Sequence, residues 1–136
     1  MIPNFKTLID RIAENEGFRS KPYRCTNNVL TFGHGLTWLT EEESLVILSN
    51  RISDLHIRLG QNFDWYDNLP PEIKSVVVEC TFQMGVHGFS KFKKAIACMK
   101  AEDWVGASEE MLDSKWAKSD SPNRAKRLAD IVREHV

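Results

Sequence analysis

The chain has 136 residues, of which 42% are apolar and 27% are charged, and its formal net charge is −1 at pH 7. This length and composition predict one soluble globular domain, spanning residues 1–136, and exclude the disordered and fibrous classes of protein. The nearly balanced charge argues against non-specific binding of nucleic acid, because the phosphate backbone attracts strongly basic proteins.

Residues 1 to about 40 predict a small lobe made of one helix and a short sheet. An amphipathic stripe predicts a helix from about Asn4 to Glu16, and the glycine that follows is a natural stop. The strand-like runs PYRC and VLTF come next, with Asn27 and Asn28 between them. Such an asparagine pair is typical of a turn, so we expect a hairpin or a small three-stranded sheet.

The rest of the chain predicts helices alone. Thr40 and Glu43 form a capping-box pattern, and the apolar residues that follow predict a long connecting helix over about 41–60. The sequence predicts an all-helical lobe over about 61–136. Its helical patterns begin near Pro71 and end near Glu134. We therefore expect a mostly helical α+β fold with a small N-terminal lobe that holds a short antiparallel sheet.

Cysteine and histidine spacing predicts neither a metal site nor a disulfide framework. The three cysteines lack CxxC spacing, and the four histidines are scattered, so we expect reduced thiols and no metal or cofactor. Cys80 and Cys98 lie on apolar helical faces and are expected to pack as small apolar residues. The N-terminal stretch has no signal-peptide pattern and no run is long enough to span a membrane, so we expect a cytoplasmic chain.

The first lobe also brings together side chains that could carry chemistry. Glu16 ends the predicted helix, where the partial negative charge of the backbone favours the protonated carboxyl that a general acid needs. Cys25 and Thr31 would lie on the two following strands, and Gly33 and Gly35 would allow a ligand to approach the backbone closely. Taken singly, each residue also fits a structural role: a solvated glutamate, a small buried cysteine or an ordinary strand threonine.

The joint spacing of these residues resembles the signature of the phage-type lysozymes (glycoside hydrolase family twenty-four). That signature is Glu, eight residues, Asp or Cys, five residues, and Thr, which Glu16, Cys25 and Thr31 match in both gaps. A second block resembles the family independently, through FQMG at 82–85 and PNRAKR at 122–127. The resemblance covers nearly the whole chain and implies a lysozyme-like fold.

The resemblance implies a muramidase that hydrolyses the β-1,4 bond between N-acetylmuramic acid and N-acetylglucosamine in the glycan strands of peptidoglycan. A glycosidase needs an acid on the leaving oxygen and a second group on the opposite face of the sugar. Glu16 would be the acid and Cys25 would stand where many relatives carry Asp. Thr31 would position water or brace the thiol, and no cofactor is required.

The resemblance also implies a substrate-binding cleft. Arg124 would correspond to the family arginine that reaches the catalytic acid, although a basic helix start is often only a solvated face. Glu110 replaces an amide side chain of the family, and Leu36 replaces a common histidine. The remaining cleft positions are Gly35, Thr37, Phe82, Gln83 and Ala95.

Several other side chains have a structural interpretation. Aromatic residues at helical spacing are expected in the core rather than on sugar rings. These aromatics are Phe89, Phe92, Trp104 and Trp116. His34 lies between two glycines and fits either a cleft residue or a surface histidine.

The biological setting implied by the resemblance is an endolysin. We expect a monomer that stays in the cytoplasm of the infected bacterium until a separate membrane pore protein releases it to the periplasm and cell wall. Two alternatives stay open at this point: a lytic transglycosylase, which uses a single acid, and a catalytically weak wall-binding virion protein of the same fold.

Overall fold

The computed structural model describes residues 4–136, and it confirms the mostly helical α+β fold with one short antiparallel sheet. The chain divides into two compact units, Met1–Val46 and Ile47–Val136. The prediction of one domain over residues 1–136 stays a prediction. The elements in chain order are α1 (Phe5–Glu16), β1 (Arg19–Arg24), β2 (Leu30–Gly33), α2 (Glu41–Asn62), α3 (Pro71–Ser90), α4 (Lys93–Lys100), α5 (Trp104–Leu112), a π-helical segment (Trp116–Asp120) and α6 (Pro122–Arg133).

Helix α1 begins and ends where the sequence predicts. The Asn4 side chain caps the helix by accepting a hydrogen bond of 3.2 Å from the backbone N–H of Thr7. At the other end Gly17 has a φ of 69° and donates its N–H to the carbonyl of Ala13 at 2.9 Å. A positive φ costs glycine little, so the helix stops directly after Glu16.

The predicted hairpin is confirmed with two strands. Tyr23 pairs with Thr31, and the ladder is irregular between Arg19 and Tyr23. The turn between the strands is closed by a 3.0 Å hydrogen bond from the N–H of Cys25 to the carbonyl of Val29. Asn28 takes the left-handed conformation with a φ of 62°, which asparagine tolerates better than most residues.

Helix α2 begins with the predicted capping box. The N–H of Thr40 donates to the Glu43 carboxylate at 3.0 Å, and the N–H of Glu43 donates to the Thr40 hydroxyl at 3.1 Å. Three glutamates in the first turn add favourable charge at the positive end of the helix. Across residues 4–136, none of the helices combines the length and apolarity needed to cross a bilayer.

The hydrophobic core of the second unit lies among α3, α4, α5 and α6. Phe89 and Trp116 are buried, and Phe92 and Trp104 pack partly buried against them, which confirms their predicted place in the core. Cys80 is fully buried in the same cluster and Cys98 is half-buried at its edge. These aromatic and thiol side chains therefore serve to pack the core.

The second unit agrees with the sequence pattern in one detail and differs from it in another. The GVHGFS stretch, residues 85–90, predicts the end of a helix, and the non-helical backbone of Gly85, with a φ of 80° and a ψ of 161°, divides α3 into two helices. Residues between α5 and α6 show no helical periodicity, yet Trp116–Asp120 forms a π-helical segment.

We expect Ser108→Ala to stabilise the protein. Ser108 is fully buried on α5, and its hydroxyl has no hydrogen-bond partner. Because an unsatisfied buried hydroxyl costs about 1–3 kcal/mol, the alanine variant should gain about 1 kcal/mol and melt about 3 °C higher in a thermal unfolding experiment. Ser75→Ala is the control, since the Ser75 hydroxyl is exposed and already donates to the Glu72 carbonyl. A lower melting temperature for Ser108→Ala would show that this hydroxyl has a partner.

Candidate active site

Glu16 lies against a tight turn that follows β2. Phe32 and Leu36 exchange backbone hydrogen bonds of 2.8 and 2.9 Å and so close a three-residue loop, residues 33–35. Gly35 has a φ of +74°, and a Cβ built on it would lie 2.7 Å from Cδ of Glu16. The backbone of Gly35 therefore packs directly on the exposed carboxyl group of the predicted acid, at a distance that only glycine permits.

We expect Gly35→Ala to reduce about tenfold the muramidase activity that the family resemblance implies, because small displacements of catalytic groups are costly. The added methyl must displace the Glu16 carboxyl, and the left-handed backbone costs an alanine about 1–2 kcal/mol. Gly33→Ala is the control, because Gly33 also has a positive φ, of +58°. A Cβ added there would lie 3.5 Å from its nearest atom, Cδ1 of Leu36, which is an ordinary van der Waals distance. Rates per folded molecule should fall more for Gly35→Ala; equal rates would contradict the contact with Glu16.

Cys25 occupies the first position of the hairpin turn, and its thiol is half-buried. The backbone N–H of Val29, the backbone N–H of Asn27 and the hydroxyl of Thr31 all lower the pKa of the Cys25 thiol, with Val29 contributing most. Each of these donors favours the thiolate over the neutral thiol. The turn therefore makes this side chain more anionic than an ordinary cysteine.

Thr31 lies on β2, and it is 95% buried, unlike every other described residue of the first unit. Its hydroxyl donates a 2.9 Å hydrogen bond to the carbonyl of Val29, which also accepts the N–H of Cys25. The hydroxyl has one proton, so it lowers the pKa of Cys25 only when it turns from the Val29 carbonyl to the thiolate. Through its bond to Val29, Thr31 braces the turn that holds the thiol.

The other two cysteines have the opposite electrostatic character. Burial raises the pKa of the Cys80 thiol to about 12. Desolvation, followed by the charge of Asp103, raises the pKa of Cys98. Of the three thiols, Cys25 is the one whose surroundings favour the thiolate.

The cleft positions predicted in the second unit line three grooves, two of which are neighbours. Phe82 and Arg124 line a groove of 690 Å³, and Gln83 lines one of 420 Å³. Ala95 and Glu110 line a third groove of 360 Å³, which shares Lys91, Phe92 and Ser114 with the groove of Gln83. The last two grooves are therefore neighbours on one surface. In the first unit, Thr37 is exposed between β2 and α2.

Arg124 forms an ion pair within the second unit. Its Nε donates to the Glu79 carboxylate at 2.8 Å, and both side chains are partly exposed. The two residues are 45 positions apart in the chain, so no local pattern could identify Glu79 as the partner. The predicted contact of Arg124 with the catalytic acid stays a prediction.

Gln83 is held by hydrogen bonds to Trp116 and Ser121, contacts that the sequence did not predict. The indole N–H of Trp116 donates to Gln83 Oε1 at 2.9 Å, and Gln83 Nε2 donates to the Ser121 hydroxyl. The amide therefore ties α3 to the π-helical segment and to the start of α6. Gln83 also lines the groove of 420 Å³.

Over the part of the chain that the structure describes, no group of three or more histidine, cysteine or acidic side chains is arranged to hold a metal ion. The predicted acid, thiol and hydroxyl lie in the first unit, and most other predicted binding positions lie in the second.

A profile of the family described as Phage lysozyme matches residues 13–134. Two proteins of Dictyostelium discoideum, "Probable T4-type lysozyme 1" and "Probable T4-type lysozyme 2", are 31% and 32% identical to the chain over 67 and 66 residues. These alignments cover 49% and 48% of this chain, but only 39% and 38% of the relatives. The matched part thus spans about two-fifths of the length of these relatives.

Proposed function

The chain belongs to the phage lysozyme family, and we propose that it hydrolyses the glycan strands of peptidoglycan. The bond would be the β-1,4 linkage between N-acetylmuramic acid and N-acetylglucosamine. The observation that carries this proposal is the family match over residues 13–134, which includes Glu16, Cys25 and Thr31 at the family spacing. The contact of Glu16 with Gly35 and the polar surroundings of Cys25 support it.

Glu16 would act as the general acid that protonates the leaving oxygen. Its carboxyl group is exposed at the end of α1, so a sugar chain can reach it without a rearrangement of the helix. The packing of Gly35 on the carboxyl restricts the directions in which the side chain can point. Such positioning lets an acid transfer its proton efficiently.

Cys25 would supply the second group that glycoside hydrolysis requires. With its pKa lowered by the N–H of Val29 and its neighbours, the thiolate can stabilise the developing positive charge of the sugar or activate water. Thr31 would keep the turn and thiol in place through its bond to the Val29 carbonyl. No metal or cofactor enters this reaction.

The proposed biological role is that of an endolysin. The protein would act as a monomer, remain in the host cytoplasm until a membrane pore protein releases it, and then digest the wall from the periplasm. The grooves of the second unit, taken by themselves, would bind glycan through Phe82, Gln83, Ala95, Glu110 and Arg124.

Mass spectrometry of digested cell wall tests the reaction. Purified sacculi incubated with the protein should release fragments that end in reducing N-acetylmuramic acid. Fragments with anhydro-muramic ends would instead identify a lytic transglycosylase. Binding to sacculi without release of fragments would identify a wall-binding protein, and either result would overturn the proposed hydrolysis.

A further inference from the structure

Two aromatic rings beside Glu16 contact each other while remaining exposed. Phe18 follows Gly17 at the start of the hairpin, and 64% of it is exposed. Its ring centroid lies 5.2 Å from that of the His34 imidazole, with the two planes tilted by 42°. We refer to Phe18 and His34 as the ring pair.

The backbone holds the ring pair next to the acid. His34 lies at the tip of the loop closed by Phe32 and Leu36, immediately before the glycine that packs on Glu16. Two adjacent residues of the loop thus make contacts. Gly35 contacts Glu16 at the end of α1, and His34 contacts Phe18 just before β1. Phe18 lies two residues after Glu16, and His34 directly precedes the glycine that packs on it, so the ring pair lies close to the carboxyl group.

An exposed aromatic surface beside an acid suits a sugar ring. Aromatic faces carry partial negative charge, and the C–H bonds on one side of a pyranose ring present partial positive charge. Ligand sites commonly combine such apolar surface with a few polar groups that orient the ligand. Because 64% of Phe18 is exposed, its ring is accessible to a sugar bound beside Glu16.

We propose that Phe18 and His34 form a stacking surface for one pyranose ring of the glycan strand, adjacent to the bond that Glu16 protonates. This inference rests on the proposed function and adds a specificity-determining contact to it. Stacking contributes mainly to holding the sugar, so removal of either ring should weaken substrate binding more than the chemical step.

Steady-state kinetics on soluble peptidoglycan fragments test the stacking surface. Phe18→Ala and His34→Ala should each raise KM about tenfold and change kcat less than about threefold. Phe18→Tyr keeps the ring face and should retain the KM of the intact protein. Phe5→Ala is the matched control, because Phe5 is 60% exposed in the same unit but lies at the other end of α1.

A binding measurement separates this inference from the proposed reaction. Glu16→Gln and the double variant Glu16→Gln/Phe18→Ala are compared for binding to purified sacculi, which needs no turnover. The double variant should bind about tenfold more weakly. Equal binding by the two, or a loss of kcat at constant KM in the kinetics, would overturn the stacking surface and indicate that the ring pair only positions Glu16. Failure of the intact protein to release fragments would reject the proposed hydrolysis, while leaving the binding comparison valid.

Discussion

Glu16→Gln is expected to lower the rate of wall hydrolysis by at least about 1,000-fold, because an amide cannot donate the proton that the leaving oxygen needs. Glutamine has nearly the same size and can keep its place over Gly35. The loss should therefore appear in kcat, with little change in KM. The measurement is the initial rate at which the turbidity of a suspension of sacculi decreases, taken over a range of sacculus concentrations so that kcat and KM are obtained separately.

Glu14→Gln provides a matched control for this substitution. Glu14 is an exposed glutamate on the same helix, two residues before Glu16. Its substitution removes the same charge and should leave hydrolysis within about twofold of the intact protein, as expected for a surface change. Lysis by Glu16→Gln at the rate of Glu14→Gln would reject Glu16 as the acid.

Local signals in the sequence predict most of the fold because they act over a few residues. The Asn4 cap, the stop at Gly17 and the pair of hydrogen bonds between Thr40 and Glu43 each follow from short-range chemistry. The break at Gly85 also follows from local chemistry, because glycine adopts a φ of 80° at little cost. The π-helical segment Trp116–Asp120 is different, since no local pattern in the sequence predicts it.

The sequence predicts some features of the candidate site, whereas others require the structure. The spacing of Glu16, Cys25 and Thr31 identifies them in the sequence, because the family signature fixes both gaps. The lowered pKa of Cys25 depends on the direction of backbone N–H groups in a turn, which spacing does not give. The pairing of Arg124 with Glu79 depends on contact between distant segments, so it also requires the structure.

The charge state of Cys25 can be measured directly by alkylation. Iodoacetamide reacts with thiolates, so its rate at each cysteine follows the thiolate fraction. Cys25 should react first as the pH is raised, because its pKa is lowered, whereas that of Cys80 is raised to about 12 and that of Cys98 is also raised. Peptide mass spectrometry assigns the label to each thiol. Labelling of Cys98 before Cys25 would contradict the proposed role of the turn.

The lowered pKa also determines how activity should depend on pH. If the thiolate is the working form, hydrolysis should rise with pH through the pKa of Cys25, which lies below that of an ordinary thiol. The same shift stabilises the folded state at pH above the ordinary thiol value, and this stabilisation is lost as the pH falls through the lowered pKa. Cys25→Asp, whose carboxyl ionises near pH 4, should lose the Cys25-dependent rise in activity.

Cys25→Ala is expected to reduce kcat/KM about 100-fold, the usual effect of removing one group that stabilises transition-state charge. Cys25→Ser should lose about as much, because a hydroxyl fills the site but stays neutral, whereas Cys25→Asp should restore activity to within about tenfold of the intact protein. Turbidity assays on the three variants, with folding checked by circular dichroism, separate the need for an anion from the need for a side chain of this size. If Cys25→Ala hydrolyses the wall at an unchanged rate, Cys25 does not act in the reaction. If serine supports activity and aspartate does not, the role of Cys25 is to donate a hydrogen bond. Recovery with aspartate alone would establish that the turn holds a thiolate in the place of a carboxylate.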